Sequence, residues 1–382
     1  MQNLPDKVAS FLNENEGETL NLIKALCQIP APSRKEQARA NFVKNYLDSV
    51  GAKGVFIDDA LNVIYPVNVT SSNDIVVFLA HTDTVFADET PMPYSNDGEY
   101  IYSPGVCDNT VCLAQMLTLC KYVTKNNLNS NVGVLFVANS CEEGLGNLKG
   151  VKKVFESYGK RIVTAYSFDG QYDALVTKCV GSHRYEINVK TQGGHSFNAF
   201  GNLSAISVIS KLINDLYSVK VPSVDGSKTT YNVGVISGGT SVNTIAESCT
   251  ALYEYRSDNE NCLAIMEQNF NECLQKHVNE SGATITVKKV GDRPCSALNN
   301  LTLFNQIVTR IKTITEKYSG EKCNLTSGST DCNVPMSLGV PAVCVGTHKG
   351  YGAHTRDEKL LISSVKKGLY IVAETILYYF NN

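Results

Sequence analysis

The stretch Asp74-Ile-Val-Val-Phe-Leu-Ala80 contains a continuous apolar run, and His81-Thr82-Asp83 follows it directly. A similar run, Val132 to Ala138, comes after a segment with the apolar spacing of a helix, and a third run occupies 161–167. Unbroken runs of this kind are typical of strands that are buried on both faces of a parallel sheet. Because these strands alternate with helical segments, we predict a mostly parallel, doubly wound α/β sheet.

Apolar spacing and turn residues predict the remaining elements. Helices are expected over 37–50, 110–125, 149–158, 204–216, 259–278, 301–318 and 362–380. Strands are expected over 55–57, 62–66, 75–80, 132–138, 161–167, 184–190, 230–236, 250–256, 284–288 and 341–345.

The pattern changes after Cys179, where strands such as Arg184-Tyr-Glu-Ile-Asn-Val-Lys190 alternate polar and apolar residues. The order there is β-α-β-β-α-β, which indicates an inserted, ferredoxin-like α+β module with one exposed sheet face. The α/β pattern resumes after Asp292. We therefore predict a catalytic domain formed by 1–178 and 293–382, and an inserted domain formed by 179–292. Two domains suit a chain of 382 residues.

Charge and composition exclude several function classes. The chain has 34 Lys and Arg against 37 Asp and Glu, a net charge of −3, without a long basic stripe. Nucleic acid and anionic membranes are therefore not expected as partners. The apolar runs are too short to span a bilayer, and the start lacks the pattern of a signal peptide, so we predict a cytoplasmic protein. Thirteen scattered cysteines without C-x-x-C spacing are expected to be buried, reduced thiols.

Imidazole and carboxylate groups recur at the predicted strand ends and in two nearby loops. They are His81, Asp83, Asp108, Glu142, Glu143, Asp169 and His354. Functional groups of open α/β sheets lie beyond the carboxyl ends of the strands, so we expect these side chains to converge. Crowded carboxylates need a cation to relieve their repulsion. Ligands without thiolates suit Zn²⁺, for which Co²⁺ or Mn²⁺ can substitute.

Each group also has a simpler interpretation when taken alone. An aspartate at a helix start is commonly a cap, a Glu-Glu pair in a loop is commonly solvated, and His81 on its own could be a core histidine. The His-x-Asp spacing adds a physical reason for a site, because Asp83 can accept a hydrogen bond from the ring nitrogen of His81 that does not face a metal.

Eight motifs together resemble one family. The chain is similar to the dinuclear-zinc metallopeptidases and deacylases that include peptidase T, glutamate carboxypeptidase, acetylornithine deacetylase, succinyl-diaminopimelate desuccinylase and aminoacylase. The motifs are His81-Thr-Asp83, Gly105-Val-Cys-Asp108-Asn109, Cys141-Glu142-Glu143-Gly144-Leu145-Gly146, Asp169-Gly170, Gly193-Gly-His195-Ser196, Val242-Asn243-Thr-Ile245, Ser329-Thr330-Asp331 and His354-Thr-Arg-Asp-Glu358.

The resemblance implies a metal centre with two Zn²⁺ per chain. One metal would be held by His81 and Asp169, the other by Glu143 and His354, and Asp108 would bridge both. Glu142 would act as the general base on a metal-activated water, and Asp83 is predicted as a further catalytic residue.

The resemblance also implies that the inserted domain is a lid and dimerisation domain. The protein would then be a homodimer, with His195 at the active site of the partner subunit, where it stabilises the oxyanion. A turn histidine in a Gly-Gly-His segment is the alternative for His195. Arg256 matches the family arginine that grips a substrate carboxylate, whereas Asn243, Gly328 and Thr330 would line the pocket.

The residue at 169 bears on the substrate. Asp169 resembles the aminopeptidase and dipeptidase branch of the family, which favours an exopeptidase acting on short peptides; an N-acyl amino acid deacylase is the alternative. A cysteine nucleophile at Cys107 or Cys141 would leave five strand-end carboxylates unexplained. A catalytically silent homologue should lack the base or the lid histidine, and both Glu142 and His195 are present.

Overall fold

The computed structural model describes residues 4–298 and 300–380. The chain divides into two compact units: the first combines Met1–Thr177 with Ala297–Asn382, and the second is Lys178–Ser296. The sequence boundaries at 179 and 292 lie close to these limits. That the second unit serves as a lid and dimerisation domain stays a prediction.

Helices and strands alternate along the two segments of the first unit, and in the sequence the six main elements of the second unit come between these segments. The α-helices are α1 (Asp6–Cys27), α2 (Gln37–Val50), α3 (Val111–Lys125), α4 (Lys149–Tyr158), α5 (Ala205–Tyr217), α6 (Glu260–Glu280), α7 (Leu301–Ser319), α8 (Asn333–Ser337) and α9 (Ile362–Leu377). The strands are β1 (Phe56–Ile57), β2 (Val63–Val67), β3 (Ile75–His81), β4 (Ser95–Asn96), β5 (Tyr100–Tyr102), β6 (Gly133–Asn139), β7 (Ile162–Phe168), β8 (Ala174–Cys179), β9 (Gly181–Lys190), β10 (Gly194–His195), β11 (Thr229–Gly238), β12 (Thr244–Ile245), β13 (Ser248–Ser257), β14 (Thr284–Arg293), β15 (Asn324–Gly328), β16 (Ala342–Val345), β17 (Gly350–Tyr351) and β18 (Lys359–Leu361).

The first unit is built on an eight-stranded sheet with the order β1-β2-β6-β3-β7-β16-β8-β15. The four central strands, β6, β3, β7 and β16, run parallel, and every residue of β3 and β6 is buried. This confirms the predicted α/β class with a mainly parallel sheet. At the edges, β2 pairs antiparallel with β6 and β8 pairs antiparallel with β16, and the strands β8 and β15 were not predicted.

A second, smaller sheet of the first unit was also missed. It has the order β17-β18-β5-β4 and pairs residues from both ends of the chain. Its strands have only two or three residues each, too few for a period of two to be recognised in the sequence.

Local chemistry explains where the helices begin and end. Helix α2 has the predicted bounds and stops at Gly51, whose φ of 94° is the left-handed conformation that favours glycine. Helices α6 and α7 each begin after an asparagine whose side chain accepts a hydrogen bond from the backbone N–H three residues later. The core of the first unit is aromatic around Phe78 of β3, whose ring stacks on those of Phe136 and Tyr166.

The second unit has the predicted β-α-β-β-α-β order. Its antiparallel sheet runs β11-β13-β9-β14, and α5 and α6 pack on one face. Alternate residues of β13 are buried, from Cys249 to Tyr255, and those between them are partly exposed. The prediction of one helix-covered and one exposed sheet face is confirmed. Strand β11 lies at the edge and exposes Val235 and Ile236.

All thirteen cysteines lie in the described part of the chain and are free thiols. Twelve are buried and Cys273 is partly buried, which confirms the prediction that they behave as small apolar residues. Within 4–298 and 300–380, no helix combines the length and the apolar character needed to cross a membrane. The cytoplasmic location stays a prediction.

Candidate metal centre

Four of the predicted site residues of the first unit lie at or just after the ends of its parallel strands, and two lie in other loops. His81 is the last residue of β3, and Asp169 follows β7 directly. Glu142 and Glu143 come three and four residues after the end of β6. Asp108 lies in the turn before α3, and His354 lies in the loop between β17 and β18. The parallel register of β3, β6 and β7 brings their ends to one edge.

Asp108 lies between two imidazoles. Its Oδ1 is 3.0 Å from His81 Nε2, and its Oδ2 is 2.9 Å from His354 Nε2. His354 Nε2 also lies 3.3 Å from Glu143 Oε1. The peptide bond between Asp108 and Asn109 is cis. One carboxylate thus faces both halves of the cluster.

The donor atoms form overlapping groups in which all atoms lie within 4.8 Å of one another. One group contains His81, Asp108 and Asp169, and another contains Asp108, Glu143 and His354. Each group offers one imidazole and two carboxylates, and Asp108 belongs to both. A third group joins His81 to Glu142 and Glu143. The donor set therefore fits two divalent cations that share Asp108.

The electrostatics of the cluster point the same way. Burial raises the pKa of Glu143 to about 7, and burial together with the charge of Asp108 raises the pKa of Asp169 well above its usual value. Burial also acts to raise the pKa of Asp108, but its hydrogen bonds with His354 and His81 lower it overall. Hydrogen bonds with Asp108 and Glu143 raise the pKa of His354 to about 11. Burial and mutual repulsion thus disfavour the ionised carboxylates, and nearby positive charge favours them.

Asp83 organises the loop that carries Glu142. Its Oδ1 accepts the backbone N–H of Glu142 at 2.9 Å, and its Oδ2 accepts that of Glu143 at 2.9 Å and the hydroxyl of Ser33 at 2.6 Å. His81 Nδ1 lies 3.1 Å from the backbone oxygen of Asp83 and 3.5 Å from its carboxylate. The Asp83 carbonyl is thus the nearer acceptor for the His81 ring, and the carboxylate predicted as its partner lies slightly farther away.

Arg39 supports the same strand end and was missed in the sequence. Its buried guanidinium donates to the backbone oxygens of Thr82, Leu26 and Ile29, at 2.8 Å each. An arginine within an amphipathic helix is usually a surface residue, so no sequence signal distinguished it.

The two cysteines next to the ligands are poor nucleophiles. Burial raises the pKa of the Cys141 thiol to about 12, and burial with the charge of Glu358 raises that of Cys107 even further. Thiolates are the reactive form of cysteine, so a cysteine hydrolase is disfavoured.

The sequence model of peptidase family M20/M25/M40 matches residues 77–378, which span both units and every predicted ligand. The chain belongs to this family. The predicted resemblance is therefore confirmed, and the chain is a member of a hydrolase family that contains peptidases and deacylases.

Several proteins resemble this M20/M25/M40 member along most of its length. A putative succinyl-diaminopimelate desuccinylase of Mycobacterium tuberculosis is 23% identical over 356 residues, 91% of this chain and 95% of the relative. The structure of a Staphylococcus aureus tripeptidase superposes with a TM-score of 0.74 at 22% identity, covering 94% of this chain and 98% of that one. A dinuclear metal binding M20 peptidase of Bacillus subtilis gives a TM-score of 0.65 at 13% identity, with 96% and 99% covered. These structures show the fold.

Three predicted site residues of this M20/M25/M40 chain lie in the second unit. His195 is exposed on β10, where its Nδ1 accepts the backbone N–H groups of Phe197 at 3.3 Å and Asn198 at 3.4 Å. The ring proton is then on Nε2, which is left as a donor. Asn243 is adjacent, since its carbonyl accepts the N–H of Ser196 at 2.9 Å.

Arg256 lies on β13 and is held by Glu254 of the same strand. Its Nε donates at 2.9 Å and its Nη2 at 3.1 Å to the two oxygens of that carboxylate. Because Glu254 takes the Nε/Nη2 edge of the guanidinium, a substrate carboxylate would bind at the other edge, formed by Nη1 and Nη2.

Gly328 and Thr330 lie in the first unit. Gly328 ends β15, and the buried Thr330 donates its N–H to Asn333 Oδ1 at 2.8 Å. The next residue, Asp331, accepts a hydrogen bond of 2.8 Å from Asn139 at the end of β6. Burial and the charge of Glu142 raise the pKa of Asp331 to about 7. Asp331 therefore belongs to the surroundings of Glu142, a role that the sequence motif did not reveal.

Proposed function

We propose that this protein is a metal-dependent exopeptidase that hydrolyses an amide bond in short peptides, as a dipeptidase or tripeptidase does. The observation that carries the proposal is Asp108, which lies between two groups of imidazole and carboxylate donors. The fold shared with the Staphylococcus aureus tripeptidase and with the dinuclear metal binding peptidase supports it.

The proposed cofactor is two Zn²⁺ per chain, with Co²⁺ or Mn²⁺ as substitutes. His81 and Asp169 would hold one ion, Glu143 and His354 the other, and Asp108 both. When bound, such ions lower the pKa of water and polarise the substrate carbonyl.

Glu142 is the proposed general base. Its side chain is buried in the cluster with His81 and Glu143, and its backbone is fixed by the Asp83 carboxylate. In this position Glu142 accepts a proton from the attacking water and then delivers it to the leaving nitrogen. The low exposure of the cluster strengthens each of these interactions.

His195 is the proposed donor to the oxyanion, acting in the active site of a partner subunit. Its Nε2–H is set for this role because two backbone N–H groups occupy Nδ1. A homodimer formed through the second unit is part of the proposal. The exposed edge strand β11, with Val235 and Ile236 uncovered, supports such an assembly, since unpaired edges readily pair with another chain.

The substrate is proposed to be bound by Arg256, Asn243, Gly328 and Thr330. An arginine suits a substrate carboxylate, and Asp169 favours the peptidase branch over the deacylases. The alternative is an N-acyl amino acid deacylase. The similarity to the putative desuccinylase of Mycobacterium tuberculosis, which extends over 91% of this chain, supports this alternative.

A substrate panel tests the proposal. Purified protein is incubated with Zn²⁺ or Co²⁺ and is then assayed with two classes of substrate. One class is unmodified dipeptides and tripeptides, and the other is N-acetyl and N-succinyl amino acids. We expect release of free amino acids from the unmodified peptides. Cleavage confined to the acylated compounds would transfer the assignment to the deacylase, and cleavage of neither class would contradict both.

A further inference from the structure

Glu358 places a buried carboxylate against the turn that carries Asp108. The residue is 1% exposed and comes four residues after His354. Its Oε2 accepts the backbone N–H of Gly105 at 2.8 Å. Its Oε1 accepts the N–H of Cys107 at 2.7 Å and that of Asp108 at 3.0 Å. One side chain therefore satisfies three backbone donors of a single turn.

The main chain around Glu358 is tied to the same turn. Its carbonyl accepts the N–H of Ser103 at 3.2 Å, and the carbonyl of Lys359 accepts the thiol of Cys107 at 3.3 Å. Strand β18 also pairs with β5 immediately before the turn. The loop that presents His354 and the turn that presents Asp108 thus meet along their backbones as well as through the carboxylate.

The three donors favour a carboxylate over any neutral side chain. Convergent backbone N–H groups form a concave site of partial positive charge, which an anion with two acceptor oxygens matches. The turn packs closely against Thr84, because Gly105 has a φ of 78° and a Cβ there would lie 2.7 Å from Thr84 Cγ2. A change at Glu358 would therefore act on the position of Asp108.

We propose that Glu358 is a positioning residue of the metal centre. It fixes the backbone at Asp108 relative to the loop of His354, so that both side chains reach the same cation. The 2.9 Å separation of His354 Nε2 and Asp108 Oδ2 is the geometry that it maintains. The inference rests on the ligands proposed above, and it assigns to Glu358 no contact with substrate.

Glu358→Gln is the main test, since it keeps the size of the side chain but turns one oxygen into a donor that faces backbone donors. Glu358→Asp keeps the charge and shortens the reach. Asp357→Asn is the matched control, because Asp357 is the exposed neighbour in the same loop. Two measurements are made on the full chain: Zn²⁺ affinity by competition with a chromophoric chelator, and amide hydrogen exchange of the segment 103–109.

We expect Glu358→Gln to weaken Zn²⁺ binding by about 10- to 100-fold, with partial recovery in Glu358→Asp and none of this loss in Asp357→Asn. Hydrogen exchange of 103–109 should rise in Glu358→Gln even without metal. If Glu358→Gln does not fold, both the Zn²⁺ affinity and the hydrogen exchange of 103–109 are measured on Glu358→Asp instead. A folded variant with the Zn²⁺ affinity and the hydrogen exchange of the wild type would overturn the inference about Glu358 and leave the proposed function in place. A wild-type chain that binds no Zn²⁺ would overturn the proposed ligands. In that case hydrogen exchange of 103–109 still tests Glu358, because unchanged exchange in Glu358→Gln would show that its contacts do not hold the turn.

Discussion

The carboxylate of Asp83 holds the backbone of Glu142 through a hydrogen bond of 2.9 Å, and its second oxygen holds Glu143 in the same way. Since Asp83 stands two residues after His81, this contact joins the end of β3 to the loop that follows β6. A proposed ligand and the proposed base are therefore set by one buried carboxylate.

Asp83→Asn should impair both functions of the site. The amide leaves one of the two backbone N–H groups facing an NH₂ group, and an unsatisfied buried donor costs about 1–3 kcal/mol. We expect Zn²⁺ affinity and kcat/KM to fall by about 10- to 100-fold, measured by chelator competition and peptide hydrolysis. Asp74→Asn, at the exposed start of the same strand segment, is the control and should retain both values. Full activity of Asp83→Asn would remove this residue from the site.

Glu142→Gln separates chemistry from metal binding. The amide cannot accept the proton of the attacking water, so we expect kcat to fall by at least about 100-fold. Elemental analysis should still find close to the wild-type metal content, because Glu142 is not among the proposed ligands. The control is Glu156→Gln on the exposed face of α4, which should leave kcat unchanged. Retained turnover in Glu142→Gln would identify another base.

A mixing experiment tests whether His195 acts across subunits. Glu142→Gln and His195→Ala should each be inactive alone. In a hybrid dimer, one site carries both substitutions and the other carries neither. Random exchange of subunits should therefore restore about a quarter of wild-type activity. Absence of recovery after exchange has been verified by mass spectrometry, or a fully active monomer in light scattering, would contradict the role of His195 in the partner's site.

Arg39→Met should lower stability. The substitution removes the charge-assisted hydrogen bonds to the carbonyls of Thr82, Leu26 and Ile29, which we expect to cost about 3 kcal/mol. Lys44→Met on the same helix removes only a surface pair with Asp48, worth about 0.3–0.5 kcal/mol. Urea unfolding followed by circular dichroism compares the two. Equal midpoints would show that the guanidinium contributes nothing beyond a surface charge.

The strands and the proposed ligands could be predicted from sequence because their signals are local. The apolar run before His81 is continuous since β3 is buried at every position, and the polar residues that follow it mark the strand end. Helix α2 lies where its spacing and Gly51 indicated, over 37–50, and helix α4 has the predicted bounds of 149–158. Parallel pairing then determines which strand ends meet.

The supporting residues could not be predicted because their partners are distant in the chain. Glu358 contacts a turn about 250 residues earlier, and Arg39 binds a strand end 43 residues later. Neither contact leaves a period in the sequence. The pairing of Arg256 with Glu254 was equally unforeseen, although the two residues are neighbours on one face of β13, because spacing alone does not separate an internal partner from a substrate.

The inserted unit begins and ends at adjacent points, since the N–H of Cys179 donates to the Ser296 hydroxyl at 2.9 Å. This closeness bears on the order of folding. The first unit must bring together 1–177 and 297–382, and the entropy lost in closing that connection grows with the length of the unstructured chain between them. If the insert folds first, it replaces more than a hundred flexible residues by a short bridge. We therefore expect the second unit to fold early and thereby to lower the entropy cost of bringing the two segments of the first unit together.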